Sequence, residues 1–228
     1  MIRNSILSRP QTTFDSWLSI LRQEKVIAVI RSPRFDLGIS MAEAASKGEI
    51  KLIEITWNSD QPQNLIAELR VRIPDCLIGA GTILNGNQLE EAIACGAEFI
   101  FSPHFDAKLL AKTMRHRIPY IPGVLSPTEI VTAWQAGASA LKVFPIKAMG
   151  GEEYIRSLKA PLNEIPLIPT GGVTLDNATQ MISAGAIAVG LSGSLFPKAV
   201  IENQDWAKIT AQSQQLKNKI NLLQEATS

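Results

Sequence analysis

The chain has 228 residues, 46 % of them apolar, enough to bury one sizeable core. Lys and Arg total 22 against 21 for Asp and Glu, a formal charge of +1, so no general field holds nucleic acid or anionic lipid and any anion must be caught locally. Two cysteines outside any CxxC pair, Cys76 and Cys95, and two histidines argue against a disulfide scaffold and against a thiolate or imidazole metal site.

Near the start, Arg3 and Arg9 flank an apolar patch too short for a signal-peptide core. No apolar run approaches the roughly 18 residues of a membrane span, so a soluble cytoplasmic protein is expected. Residues 13–23 read as a helix ahead of the first strand, placed to plug the bottom of a barrel. Short blocks of β-branched and apolar residues then recur: VIAVIR from Val26, LIEITW from Leu52, CLIGAGTI from Cys76, FIFSP from Phe99, YIPGV from Tyr120, ALKVFP from Ala140, PLIPTGG from Pro166 and AVGLSGS from Ala188.

Successive blocks start 20 to 26 residues apart, room for a strand, two short loops and a helix of about three turns. Their eightfold recurrence predicts a single domain over 1–228, closed as a parallel (β/α)8 TIM barrel. Nearly continuous apolar character within each block fits strands covered on both faces. Between them, residues 36–47, 87–95, 106–116, 127–136, 151–159 and 176–184 carry apolar positions at spacings of three and four, with Asp36, Asn87, Asp106, Ser126 and Asp176 as expected N-caps.

Gly-Ala precedes a strand in CGAEFIF, AGASALKVF and AGAIAVGLS, where glycine can end a helix in the left-handed conformation. Pro103, Pro122, Pro145 and Pro169 are expected to end strands, since proline cannot donate to the ladder. The basic run Lys112, Arg115, His116, Arg117 closes a helix and reads as a solvated face. Trp57, Trp134 and the methionines read as packing, His104 is too isolated to be a ligand, and residues 205–224 read as a closing outer helix.

In a barrel, the C-terminal strand ends form one rim, so chemistry is sought there. The polar residues at those ends are Arg31, Glu54 with Thr56 and Asn58, Thr82, Ser102 with His104, Lys142, Thr170 with Gly171 and Gly172, and Ser192 with Gly193 and Ser194. Lys142 stands between Leu141 and Val143, Phe144 and Pro145. Dry surroundings disfavour the charged form of a lysine, and a neutral amine can attack a ketone to form an imine.

Glu54, amid apolar neighbours in LIEITW, must be paired, protonated or functional. An amine with a proton-moving carboxyl is the minimum for Schiff-base chemistry, and a buried structural ion pair accounts for the same two residues. PTGGVT from Pro169 and Ser-Gly-Ser at 192–194 put glycines after the last two strands, where barrel enzymes bind phosphate on backbone N–H groups. The GAGT segment, Gly79 to Thr82, brings backbone close to the axis, or forms a small-residue packing layer.

Taken in order, AVIR, IEIT, GAGTIL, FSP, IPGVLSPTE, ALKVFP with Gly150 and Gly151, and PTGGV resemble the 2-keto-3-deoxy-6-phosphogluconate (KDPG) aldolase family, from about Val26 to Phe196. That family includes 4-hydroxy-2-oxoglutarate (KHG) and 2-keto-3-deoxy-6-phosphogalactonate aldolases. The resemblance implies a class I aldolase that releases pyruvate and an aldehyde such as glyceraldehyde 3-phosphate. It implies Lys142 as imine-former and Glu54 as general acid/base.

By the same resemblance Thr82 contacts the pyruvyl part, Arg31 closes the first strand, Gly171, Gly172, Gly193 and Ser194 hold phosphate, and Pro103, Phe144 and Thr170 complete the substrate site. No metal or other cofactor is implied, because the iminium is itself the electron sink. The implied partners are a keto-deoxy sugar acid phosphate and pyruvate, within a homotrimer.

One position departs from the phosphogluconate pattern: Asn58 stands where an arginine grips the pyruvyl carboxylate, as in galactonate-type members, whereas Thr170 follows the phosphogluconate type. Two other readings compete with the aldolase, a phosphate-binding barrel isomerase or synthase and a non-catalytic phosphate-ligand binding protein.

Overall fold

The computed structural model describes residues 14–225. Its strands are Val26–Ile30 (β1), Leu52–Thr56 (β2), Leu77–Gly81 (β3), Ile100–Phe101 (β4), Tyr120–Ile121 (β5), Gly123–Val124 (β6), Leu141–Val143 (β7), Leu167–Pro169 (β8) and Val189–Leu191 (β9). Its α-helices are Phe14–Glu24 (α1), Phe35–Lys47 (α2), Pro62–Arg72 (α3), Gly86–Ala94 (α4), Ala107–His116 (α5), Pro127–Gln135 (α6), Glu152–Lys159 (α7), Ala178–Ser183 (α8), Lys198–Glu202 (α9) and Trp206–Glu225 (α10), with a 3-10 turn over Ile146–Met149.

Every strand pair is parallel. Six strands form one sheet in the order β5-β4-β3-β2-β1-β9, and three form a second in the order β6-β7-β8. The expected eighth-strand closure therefore stands as a curled parallel α/β sheet in two sections. The block YIPGV is one cause of the division. Pro122 interrupts it between β5 and β6 instead of ending it, and the ladder resumes when the Lys142 N–H donates to the Pro122 carbonyl at 2.9 Å. At the other junction, Thr170 and Gly190 form an isolated parallel bridge.

Side-chain alternation along the strands sorts the apolar residues into two buried clusters. Ile27, Val29, Leu52, Phe99, Phe101, Ile121, Ala140, Ile168 and Ala188 pack together on the concave face, joined by Trp17 and Leu21 from α1. Their chain neighbours Ala28, Ile53, Ile78, Ile100, Leu141, Leu167 and Val189 pack outward with helix residues such as Leu65, Ile130 and Ile209. Lys142 shares the parity of Ala140, and Glu54 that of Leu52, so both belong to the concave face.

Several expected caps shift. Asp106 and Ser126 do cap α5 and α6, and Ser126 with Glu129 forms a full capping box. Asn85, not Asn87, caps α4 and accepts from the backbone N–H groups of Asn87 and Gln88. Asp36 lies inside the first turn of α2 and pairs with the N-cap residue Arg34, while Asn177, not Asp176, precedes α8.

Helix α3 is not among the helices that the sequence predicts: the polar run before it resembles a loop, and its buried stripe of Leu65, Ile66 and Leu69 is short. The expected 13–23 helix begins at Phe14, with residue 13 outside the described residues, as are Arg3 and Arg9. The 205–224 helix is α10. Among the described residues, no disulfide forms and no helix is long and apolar enough to cross a membrane. Trp57 and Trp134 pack against the outer cluster as expected. Lys112 and His116 both reach Glu90 on the surface, in keeping with a solvated face.

Candidate active site

A cavity of about 410 Å³ opens on the concave face at the C-terminal strand ends. Its lining includes Arg31, Glu54, Thr82, Pro103, Lys142 and Phe144, with Thr170, Gly171, Gly172, Gly193 and Ser194. Eleven of the twelve residues singled out from the sequence are thus brought together from seven strands and their loops. The exception is Asn58, an exposed residue after β2 whose Oδ1 accepts a hydrogen bond from Arg31 Nε at 3.3 Å. Asn58 reaches the cavity only through that arginine.

Lys142 and Glu54 form the floor. Lys142 is 5 % exposed and Glu54 1 %, and Lys142 Nζ stands 3.9 Å from Glu54 Oε1, beyond direct hydrogen-bond reach. Oε1 has no hydrogen-bond partner, so a buried acceptor faces the amine across a gap. Burial holds the Glu54 carboxyl above its ordinary pKa, and the nearby positive charges of Lys142 and Arg31 only partly offset that effect. Two aromatic rings border the amine, Phe144 with its centroid at 5.2 Å and Phe101 at 5.7 Å.

The GAGT segment forms the small-residue layer that the sequence offers as one of its readings. A side chain at Gly79 would meet the Phe99 ring at 2.2 Å, and one at Gly81 would meet Glu54 Oε1 at 1.8 Å. The missing side chains of β3 thus make the space that the ring and the carboxyl occupy. Thr82, the next residue, has φ +60°, a left-handed conformation costly for a β-branched side chain and concentrated at functional sites.

Gly171 and Gly172 have φ +82° and +104°, and a Cβ on either would press on Phe144 or Lys147. Opposite them, Ser194 Oγ accepts from the Leu175 N–H at 3.1 Å, which ties the β9 loop to the β8 loop. Leu37, Met41, Phe196, Ile201 and neighbouring residues line a wider cleft of about 820 Å³, which shares Arg31, Ser192 and Gly193 with the inner cavity. Its Lys198–Glu202 pair is exposed, so the buried ionisable groups sit in the smaller cavity.

Sequence reasoning missed Phe101 as a neighbour of the lysine. Period-two counting from Phe99 would have put both rings on the concave face. His104 bonds Ser102 and does not line the cavity. Among the described residues, no group of three or more His, Cys, Asp or Glu could hold a metal ion.

A parallel α/β fold that sets a buried amine against a buried carboxyl, beside paired glycine turns, is the arrangement that class I aldolase chemistry needs. More particularly, the chain belongs to the KDPG and KHG aldolase family, whose model matches residues 18–212. It is 33 % identical over 195 residues to the 2-dehydro-3-deoxy-phosphogluconate aldolase of Treponema pallidum, covering 86 % of this chain and 93 % of that one. It is 34 % identical over 190 residues to the enzyme of the same name from Haemophilus influenzae, covering 83 % and 89 %.

Among solved structures it resembles the KDPG aldolase of Legionella pneumophila, captured with pyruvate as a covalent carbinolamine. The TM-score is 0.81 and the identity 28 %, over 87 % of this chain and 97 % of that one.

Proposed function

We propose that this chain cleaves a 2-keto-3-deoxy sugar acid 6-phosphate, or 4-hydroxy-2-oxoglutarate, to pyruvate and an aldehyde such as glyceraldehyde 3-phosphate, through an imine on Lys142. The observation that carries the reading is the 3.9 Å approach of two buried, oppositely ionisable groups, an amine and a carboxyl with an unpartnered oxygen. The carbinolamine in the Legionella relative supports the same chemistry.

In this mechanism Lys142 Nζ bonds to C2 of the keto acid to give a carbinolamine. Glu54, kept toward its protonated form by burial, protonates the departing hydroxyl, and loss of water leaves a cationic imine. The Glu54 carboxylate so formed takes the C4 hydroxyl proton. The C3–C4 bond then breaks, the aldehyde departs, and the bonding pair becomes the enamine, neutralising the nitrogen. Protonation at C3 and addition of water at C2 free pyruvate and restore the amine.

Arg31, Thr82 and Pro103 border the pyruvyl end, Phe144 covers the imine, and Gly171, Gly172, Gly193 and Ser194 receive the phosphate on backbone N–H groups, with Thr170 beneath them. Asn58 assists by holding Arg31.

The two sheet sections read as one closed (β/α)8 barrel within a single domain over 1–228. The Thr170–Gly190 bridge and the two halves of YIPGV support that closure. Homotrimeric assembly and a cytoplasmic location are part of the same proposal. Borohydride reduction in the presence of pyruvate, followed by peptide mass spectrometry, tests the central step. A pyruvyl adduct on Lys142 is expected, with pyruvate release from the gluconate or galactonate substrate. An adduct elsewhere, or none from an active preparation, defeats the mechanism, and trapping without turnover on either epimer favours a binding protein.

A further inference from the structure

The Lys142 amine is bordered by rings: Phe101 and Phe144 flank Nζ, while Glu54 Oε1 stays at 3.9 Å. Phe144 is more than one-third exposed and borders the cavity, so its ring is not enclosed by the core. Phe101 is buried, and what fixes it lies beneath it. Its ring meets Phe99 edge-on, with centroids 5.8 Å apart and planes at 79°. Phe99 in turn lies 5.0 Å from the Trp17 indole at 33°. All three side chains are buried, and Phe99 fills the space left by Gly79, so it has no room to retreat toward β3.

The result is a column of three rings along the concave face. It runs from α1, which precedes the whole sheet, up to the side chain of Lys142 on β7. Close-packed interiors transmit displacement because no free volume absorbs it. Trp17 Nε1 is buried without a hydrogen-bond partner, so the indole is held at the foot of the column by packing alone.

We infer that Trp17 is a positioning residue for Lys142: through Phe99 and Phe101 it sets where the amine stands relative to Glu54, and so the rate of the covalent step. This inference rests on the reading of Lys142 as the imine-forming residue. Its reach extends beyond that reading, because it assigns a role in the reaction to a helix none of whose described side chains lines the cavity.

The test compares the full-length wild-type chain with Trp17→Phe, Trp17→Leu and, on the outer cluster, Leu216→Ala as a control for lost stability alone. Wild type is first trapped with pyruvate and borohydride. If no adduct forms on Lys142, the parent reading fails, whatever the variants do. With the adduct present, Trp17→Leu should lower kcat and the trapping rate on the order of tenfold to a hundredfold, with KM changed far less and the pH profile of kcat displaced.

Trp17→Phe, which keeps a ring, should restore most of both rates. Leu216→Ala should lower thermal stability without moving the profile. If Trp17→Leu does not fold, Phe99→Leu, a smaller deletion one ring higher, is read by the same criteria. A variant that loses stability like the control yet keeps wild-type kcat, trapping rate and pH profile overturns the inference.

Discussion

Gly81 and Glu54 share one volume: a Cβ on the glycine would stand 1.8 Å from the glutamate Oε1 and 2.5 Å from its carboxyl carbon. Adjacent parallel strands bring them together, since Thr56 pairs with Gly81 and Glu54 with Gly79. Gly81→Ala must therefore push the carboxyl out of its place opposite Lys142. Overpacking of this kind costs about 1–3 kcal/mol. We expect a loss of that size in urea unfolding together with a fall in kcat of about a hundredfold, the scale of a displaced general acid/base. Wild-type kcat in a folded Gly81→Ala protein would show that the carboxyl position does not matter.

Glu54 should also leave a signature in stability. Burial raises its folded-state pKa above the ordinary 4.5, so the folded protein holds this proton more tightly than the unfolded chain does. The associated stability is fully present below the unfolded value and is lost as pH rises through the folded one. Glu54→Gln cannot ionise, so its unfolding free energy should gain on wild type as pH is raised from about 4 to about 8, even as activity collapses. A constant difference across that range would mean that the carboxyl is not desolvated.

Asn58 holds Arg31 Nε from outside the cavity. An arginine there would offer a substrate carboxylate a second charge-assisted donor, and such bonds are stronger than neutral ones. Asn58→Arg is expected to lower KM for the keto acid roughly tenfold, with kcat little altered. Steady-state kinetics check this, and an unchanged or higher KM would remove Asn58 from the account of specificity.

Far from the cavity, Lys217 Nζ on α10 donates to both the carboxylate and the carbonyl of Glu24, each at 2.8 Å, and pins the end of α1 to the last helix. Lys217→Met leaves the Glu24 carboxylate largely buried without its partner, a change that costs about 3–5 kcal/mol. Urea unfolding should register that loss. A change under about 1 kcal/mol would assign the pair the small weight of a surface salt bridge.

Much of the site was legible because an ionisable residue in an apolar strand breaks the pattern that burial imposes. Lys142 in ALKVFP and Glu54 in LIEITW stood out on that ground, and the glycines of PTGGV and Ser-Gly-Ser stood out for their turn geometry. Helix α3 was hidden by a polar lead-in. Pro122 does not end its strand, because proline removes one donor while its carbonyl still accepts from Lys142.

By itself the sequence determined the order and spacing of strands and helices, the chemical types at the strand ends and the resemblance to a family of lyases. Those are local properties, set by composition, periodicity and backbone preference along a few residues. Only the tertiary structure decided that Phe101 flanks the amine, that Gly81 houses Glu54, that Asn58 lies outside the cavity and that Trp17 stands at the foot of a ring column. Each of these depends on which residues from distant strands face one another across a shared space, and a linear pattern carries face and period but not the partner across the gap.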